Sequence, residues 1–166
     1  MKNNYSKDIG IIDIEASGLH FDSYPIEVAV RLRGECKSWL IKPEPGWKYW
    51  CATAESMHGI SREELLRDGL PAVEVVKQLN AFLAEPDAIL YSDAHRWDGD
   101  WIDTLYYAVK VDKPFFVNSI YDVMGNDKAD QFDKYFAQLA ESGKYQHHRA
   151  ADDVEMIYEA YRQVMG

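Results

Sequence analysis

The sequence contains 166 residues and has a formal net charge of −10, from 28 Asp and Glu against 18 Lys and Arg. This length predicts one domain over residues 1–166 with a sizeable hydrophobic core. No apolar run approaches the roughly 20 residues of a membrane span, and the N-terminus lacks the apolar core of a signal peptide. We therefore expect a cytoplasmic protein without a membrane partner. The acidic charge argues against a protein that coats nucleic acid, but not against an enzyme that meets phosphate through bound metal.

The first predicted strand, residues 11–19, is apolar but carries two acids, Asp13 and Glu15. Side chains alternate faces along a strand, so these two point the same way. Neighbouring carboxylates repel each other and are costly to bury, whereas a hard divalent cation such as Mg²⁺ or Mn²⁺ would be coordinated by both. The alternative is that the strand ends early and both acids are solvated.

Two further strands follow closely, over residues 26–33 and 36–41. The first alternates apolar and polar residues, and the short connections predict an antiparallel meander. Residues 44–57 form a predicted loop rich in aromatic side chains, which either cap the sheet edge or stack on bases. These aromatic residues are Trp47, Tyr49 and Trp50.

Helices and strands alternate in the rest of the chain. Ser61 and Glu64 predict the capped start of a short helix, and the next helix begins at Pro71 with the apolar residue Val73 on its stripe. The later elements are a strand over 88–91, a helix over 98–110, a strand over 115–117, a weak helix within 126–146 and a final helix over 150–165. This order predicts an α/β fold whose mixed sheet has three antiparallel and two parallel strands, flanked by helices.

Two more acids occupy the inward faces of predicted helices. Asp98 precedes the apolar stripe of its helix, and Asp153 lies four residues before Ile157 on the packing side of the last helix. Each alone is explained by the favourable position of an acid at a helix N-terminus. A shared divalent-metal site explains these two acids together with the two of the first strand.

His148 lies just before the last helix, from which its ring can reach over the acid site. Its ordinary pKa near neutrality suits a base that takes a proton from an attacking water. The alternative is a surface histidine beside His147.

These residues resemble the motifs of the DEDDh 3′-5′ exonucleases, within the ribonuclease H-like superfamily. Residues 13–19 read D-I-E-A-S-G-L, with Ser17 in place of the usual threonine, and residues 58–60 read H-G-I. Residues 97–102 read W-D-G-D-W-I and residues 148–153 read H-R-A-A-D-D, which match the second and third motifs. The resemblance covers nearly the whole chain.

Three features bear on the branch and register of that resemblance. Arg149 stands where the tyrosine variant of the family needs Tyr, which favours the histidine branch. Residues 93–95 read D-A-H where the family often has H-N-A, which leaves the local substrate contacts open. Asp100 is the alternative ligand if Asp98 is shifted from the expected register.

The resemblance implies a ribonuclease H-like fold and a two-metal-ion mechanism. Asp13 would bridge two ions (Mg²⁺ or Mn²⁺) roughly 3.5–4 Å apart, with Glu15 and Asp153 on one, Asp98 on the other and His148 as general base. The reaction would release nucleoside 5′-monophosphates from the 3′ ends of single-stranded DNA or RNA. The implied substrate-binding residues are Ser17, Gly18, Leu19, His58, Ile60 and Trp97, and Leu19, Ile60 and Phe21 are candidates to wedge or stack against terminal bases.

Three alternatives stay open at this point. One is an RNA-trimming exoribonuclease resembling ribonuclease T or oligoribonuclease. Another, of a different class, is a catalytically inactive nuclease fold that binds a protein partner, although retained acids that serve no purpose would only destabilise it. The third is a cation-binding domain without catalysis, which leaves His148 unexplained. Because many relatives dimerise, a homodimer is also possible.

Overall fold

A mixed five-stranded sheet forms the centre of the chain in the computed structural model, which describes residues 8–166. The spatial order is β3-β2-β1-β4-β5. β1 pairs antiparallel with β2, and β2 with β3, while β4 is parallel to both β1 and β5. The predicted α/β fold with three antiparallel and two parallel strands is confirmed. The strands are β1 Gly10–Ala16, β2 Pro25–Leu32, β3 Glu35–Leu40, β4 Ala88–Ser92 and β5 Phe115–Ser119.

Helices cover both faces of the sheet. On one face, Ile12 and Ile14 of β1 pack in the core formed with α3 and α4. On the other face, Ile11 packs against α7 residues such as Ile157. Because Asp13 and Glu15 share the face of Ile11, they point toward α7. The helices are α1 Ala52–His58, α2 Arg62–Asp68, α3 Ala72–Leu83, α4 His95–Val109, α5 Ile120–Met124, α6 Asn126–Glu141 and α7 Ala150–Met165.

One local prediction is confirmed and several others are wrong. The Ser61 hydroxyl accepts the Glu64 N–H at 3.1 Å, as the predicted cap requires. Residues 44–57 are not all loop, since α1 begins at Ala52, and α5 was not predicted. The side chain of Val73 is 59% exposed, so it is not part of the buried stripe. The helix with Asp98 begins three residues earlier than predicted, at His95.

The helix predicted as weak is well formed, since α6 is 16 residues long. Phe132 at its centre is buried in the core beside α7. Within residues 8–166, every helix is too short or too polar to cross a membrane.

Candidate metal centre

Asp13 and Glu15 stand side by side on the face of β1 that α7 covers. Asp13 is 8% exposed, and its Oδ2 is buried with no hydrogen-bond partner among residues 8–166. Glu15 pairs in register with Glu27 of β2. Oxygens of Asp13, Glu15 and Asp153 all lie within 4.8 Å of one another, which is a separation that a shared cation can span.

The first turn of α7 brings Asp153 to these acids. Its side chain is buried, and its Oδ1 accepts the backbone N–H of His148 at 3.2 Å. A second hydrogen bond, of 2.9 Å, joins Oδ1 to Nδ1 of His147. Both contacts hold the carboxylate through one oxygen, which fixes its orientation toward β1.

Asp98 reaches the same place from the first turn of α4. Its side chain is 2% exposed, and its Oδ2 accepts the Ser92 hydroxyl at 2.5 Å. The Ser92 oxygen in turn accepts the Ala94 N–H at 2.9 Å, so the end of β4 and the start of α4 are tied together. An oxygen of Asp98 lies within 4.8 Å of oxygens of Asp13 and Asp93. Asp100, the alternative ligand, is exposed on the same helix.

The acids repel one another, as their pKa directions show. Burial, followed by Asp98 and Asp153, raises the pKa of Asp13 well above its usual value. Burial, followed by Asp153 and Glu27, raises the pKa of Glu15 to about 9. Burial also raises the pKa of Asp98. Oxygen donors arranged in this way fit the coordination preferences of Mg²⁺ and Mn²⁺, which would relieve the repulsion.

Two stacked histidines border the cluster. The rings of His147 and His148 lie 3.8 Å apart between centroids. His147 makes the side-chain contact with Asp153, whereas His148 faces a cavity that Glu15 also lines. Burial, followed by the neighbouring His147, lowers the pKa of His148. A lower pKa keeps the imidazole neutral near pH 7 and able to accept a proton.

An ion pair anchors the start of α7 over the sheet. Glu27 is 4% exposed, and its carboxylate accepts hydrogen bonds from the Arg149 guanidinium at 2.9 and 3.3 Å. The same carboxylate accepts the Ala150 N–H at 2.8 Å. Arg149 therefore has a structural role beside the acid cluster that sequence reasoning did not assign. The pair compensates part of the charge of Glu27, which still contributes to the raised pKa of Glu15.

The cavity beside Glu15 and His148 has a volume of about 180 Å³. Its wall is mostly apolar, which suits a sugar or base more than a phosphate. The lining residues are Glu15, Ala16, Gly18, Leu19, Ala54, Met57, His58, Trp101 and His148. Leu19 and Met57 are 69% and 52% exposed, so apolar surface continues outward from the cavity.

The predicted substrate-binding residues divide into exposed and buried groups. Leu19 and Trp97 are exposed, and the Trp97 ring stacks on Trp101 of the cavity wall with centroids 5.6 Å apart. Ser17 and Ile60 are fully buried, so direct contact of these side chains with substrate does not fit their positions. The Ser17 hydroxyl instead accepts the Tyr24 N–H at 3.1 Å and closes the turn after β1.

Gly18 and His58 take intermediate positions at the cavity wall. A Cβ at Gly18 would lie 2.7 Å from the Tyr49 ring and 2.9 Å from Cβ of Cys51, so only glycine permits this packing. His58 is 2% exposed, and its Nδ1 accepts the Ile60 N–H at 3.0 Å. Its Nε2 must then carry the proton, and it has no partner in the described part of the chain.

The aromatic loop packs mainly on the protein itself. Trp47 stacks on Tyr24 at 5.3 Å, and Trp50 meets His58 edge-on at 5.9 Å. Tyr49 stacks on the exposed His20 at 4.7 Å. The contacts of the two tryptophans favour the capping interpretation over base stacking. Phe21 is 90% exposed and leaves an aromatic ring available to a ligand.

Asp93 and His147 belong to the site although sequence reasoning did not select them. In the sequence, Asp93 was noted only because it departs from the family motif, and His147 only because it precedes His148. A signal for both was present, because each is close to a motif residue in the sequence and has a side chain that can bind a metal ion. Burial, followed by Asp153, raises the pKa of Asp93 to about 6.

Comparison with known proteins defines the fold. The sequence matches no protein-family model and no curated protein. The structure is similar to E. coli exonuclease I in complex with a dT13 oligonucleotide, with a TM-score of 0.69 and 16% identity over 93% of this chain and 40% of that chain. It is also similar to the exonuclease I of Methylocaldum szegediense, with a TM-score of 0.68 and 16% identity over 93% and 39% of the two chains.

The chain therefore has the fold of the part of exonuclease I that it matches. A third similar structure is the zinc-bound form of an E. coli exonuclease I complex with single-stranded DNA, with a TM-score of 0.67 and 17% identity over 92% of this chain and 39% of the other. The chain thus spans about 40% of the length of the exonuclease I chains. At these identities the likeness establishes the fold alone.

Proposed function

We propose that the protein is a metal-dependent 3′-5′ exonuclease that acts on single-stranded nucleic acid and releases nucleoside 5′-monophosphates. The observation that carries the proposal is the convergence of four buried or half-buried acids from β1, α4 and α7. The buried Asp13 Oδ2 without a partner in residues 8–166 has no structural use, but it suits a cation. The fold that the chain shares with exonuclease I bound to an oligonucleotide supports this function.

The acids divide naturally around two cation positions. Asp13, Glu15 and Asp153 would hold one cation, and Asp13 and Asp98 would hold the second. A pair of divalent cations would supply charge stabilisation to the attacking and leaving oxygens of a phosphodiester. Asp13 would contribute to both positions because its oxygens lie close to both groups of acids.

His148 would act as the general base. Its ring borders the cavity beside Glu15, and burial lowers its pKa. It would accept the proton of the water that attacks the last phosphorus, while the P–O3′ bond to the preceding nucleotide breaks. His147 would position Asp153 through its hydrogen bond, and the stacked pair of rings would keep His148 in place.

The apolar cavity would hold the terminal nucleoside. Leu19, Met57 and Trp101 offer surfaces against which a base or sugar can pack. His58 lines this cavity, and its buried Nε2–H has no partner in the described part of the chain, so a small movement of the cavity wall would let it donate a hydrogen bond to the nucleotide. Binding through stacking agrees with a net charge of −10, which leaves little general attraction for phosphates.

The test is incubation with DNA and RNA oligonucleotides labelled at the 5′ or the 3′ end, with Mg²⁺ or Mn²⁺ and then with EDTA. We expect stepwise shortening from the 3′ end that EDTA abolishes. Asp98→Asn should lower the rate by at least about 100-fold, because ligand-sphere losses reach this size. Asp100→Asn is the matched control, since it removes the same charge from an exposed position on the same helix.

The outcomes separate the remaining alternatives. Shortening of RNA with intact DNA would make the protein an RNA-trimming enzyme. Intact DNA and RNA with either metal would overturn the nuclease proposal and favour the protein-binding or cation-binding alternatives. Equal losses of exonuclease activity in Asp98→Asn and Asp100→Asn would refute the assignment of Asp98 as a metal ligand.

A further inference from the structure

A third carboxylate lies beside Asp13 and Asp98. Asp93 sits in the turn between β4 and α4, and its side chain is half-buried. Oxygens of Asp13, Asp93 and Asp98 all lie within 4.8 Å of one another. A second group consists of Asp13, Glu15 and Asp153, and Asp13 is the one residue that the two groups have in common.

A second observation indicates that the group binds a ligand. Asp13 Oδ2 is buried without a hydrogen-bond partner among residues 8–166, and the Asp13 side chain is 92% buried, the complement of its 8% exposure. An unpartnered buried oxygen is costly unless something satisfies it. Asp13 belongs to both groups of acids, so a cation on either side of it would satisfy this oxygen.

The turn that carries Asp93 is fixed on both sides. The Ser92 hydroxyl donates to Asp98 Oδ2 at 2.5 Å, and its oxygen accepts the Ala94 N–H at 2.9 Å. These contacts tie the residues before and after Asp93 to the proposed ligand Asp98. The backbone of Asp93 is therefore held in place next to the cluster.

We propose that Asp93 is a further ligand of the cation position formed by Asp13 and Asp98. This inference rests on the proposed metal-dependent function. With Asp93, each cation position has three carboxylates, and five carboxylates in total surround two divalent ions. The cluster then carries five negative charges against four positive ones, which favours tight retention of both ions.

The test is a Mn²⁺ titration in which electron paramagnetic resonance measures the free ion. Wild type, Asp93→Asn and Asp100→Asn are compared without nucleic acid, so that the readout is independent of activity. We expect two ions per wild-type chain. Asp93→Asn should lower the affinity for one of the two ions by at least about tenfold, which is the smallest loss of affinity typical when an outer-shell partner is removed. Asp100→Asn should bind both ions as wild type does.

Each outcome decides a separate question. If wild type binds two ions and Asp93→Asn matches Asp100→Asn, the ligand role of Asp93 is refuted while the metal-dependent function stands. If wild type binds no Mn²⁺, the proposed function fails and the role of Asp93 fails with it. Asp93→Glu retains a carboxylate and should keep more affinity than Asp93→Asn, whereas equal affinity in these two variants would contradict the proposal.

A second readout covers the case in which Asp93→Asn folds poorly. Asp93→Ser removes the carboxylate with a smaller side chain, and the rise in melting temperature with Mn²⁺ can be measured on it. We expect a smaller rise than in wild type, since the stabilisation of the folded state by a ligand grows with the logarithm of the ligand concentration divided by Kd. A rise equal to that of wild type would refute the role of Asp93.

Discussion

Replacing Glu15 with Gln should stabilise the metal-free protein. Glu15 lies opposite Glu27 in the sheet, and its oxygen approaches those of Asp13 and Asp153. Burial, followed by Asp153 and Glu27, raises its pKa from 4.5 to about 9. Between these two pH values the folded protein keeps a proton that the unfolded chain releases. The free energy of unfolding therefore falls as pH rises through this window.

The magnitude follows from the width of the window. One proton retained over one pH unit is worth about 1.4 kcal/mol, so Glu15 lowers the stability of the metal-free protein by at most about 3 kcal/mol between pH 5 and pH 7. Gln at this position does not titrate, so the free energy of unfolding of Glu15→Gln should exceed that of wild type by about 1–3 kcal/mol at pH 7 in the presence of EDTA. The difference should shrink toward pH 5.

The assay is urea unfolding of both proteins at pH 5 and pH 7, first in EDTA and then in Mn²⁺. Glu85→Gln is the control, because Glu85 is exposed beyond the end of α3. In Mn²⁺ the order should reverse, since wild type has one more ligand for the cation. A Glu15→Gln variant that is less stable than wild type in EDTA at pH 7 would refute the claim that the buried carboxylates destabilise the metal-free protein.

Three further predictions concern the surroundings of Glu15. Asp153→Asn should abolish exonuclease activity while sparing or raising the melting temperature in EDTA; a large loss of stability would mean instead that Asp153 is only a helix cap. Arg149→Ala should lower the free energy of unfolding, measured with urea, by about 2 kcal/mol. This is less than the roughly 3–5 kcal/mol lost when a fully buried ion pair is broken, because Arg149 is partly exposed. Adding Glu27→Gln to Arg149→Ala should recover part of the loss. Gly18→Ala should displace Tyr49 and raise the KM for oligonucleotides more than it lowers kcat; an unchanged KM would show that this wall does not contact substrate.

Much of the fold could be predicted because local patterns agree with it. The apolar stripe of α7 specifies its buried face. The alternation in β2 predicts a half-exposed strand, but this is wrong, because its first six residues are all buried. The helix α1 escaped prediction because its seven residues have little apolar periodicity and include only one buried side chain, that of His58. Val73 occupied a plausible stripe position, but Val75, two residues further on, is the buried one.

The candidate site was harder to predict beyond its motif residues. Asp13, Glu15, Asp98 and Asp153 could be selected because acids on inward faces of strands and helices need an explanation. Asp93 and His147 lie in turns, where polar residues are ordinary. Only the tertiary arrangement shows that Asp93 approaches Asp13 and that His147 contacts Asp153.

The most direct test of the metal centre is anomalous diffraction from crystals grown with Mn²⁺. We predict one anomalous peak bounded by Asp13, Glu15 and Asp153, and a second bounded by Asp13 and Asp98. Both peaks should vanish after soaking in EDTA. The absence of any peak among these acids at millimolar Mn²⁺ would contradict the claim that their convergence serves to bind divalent cations.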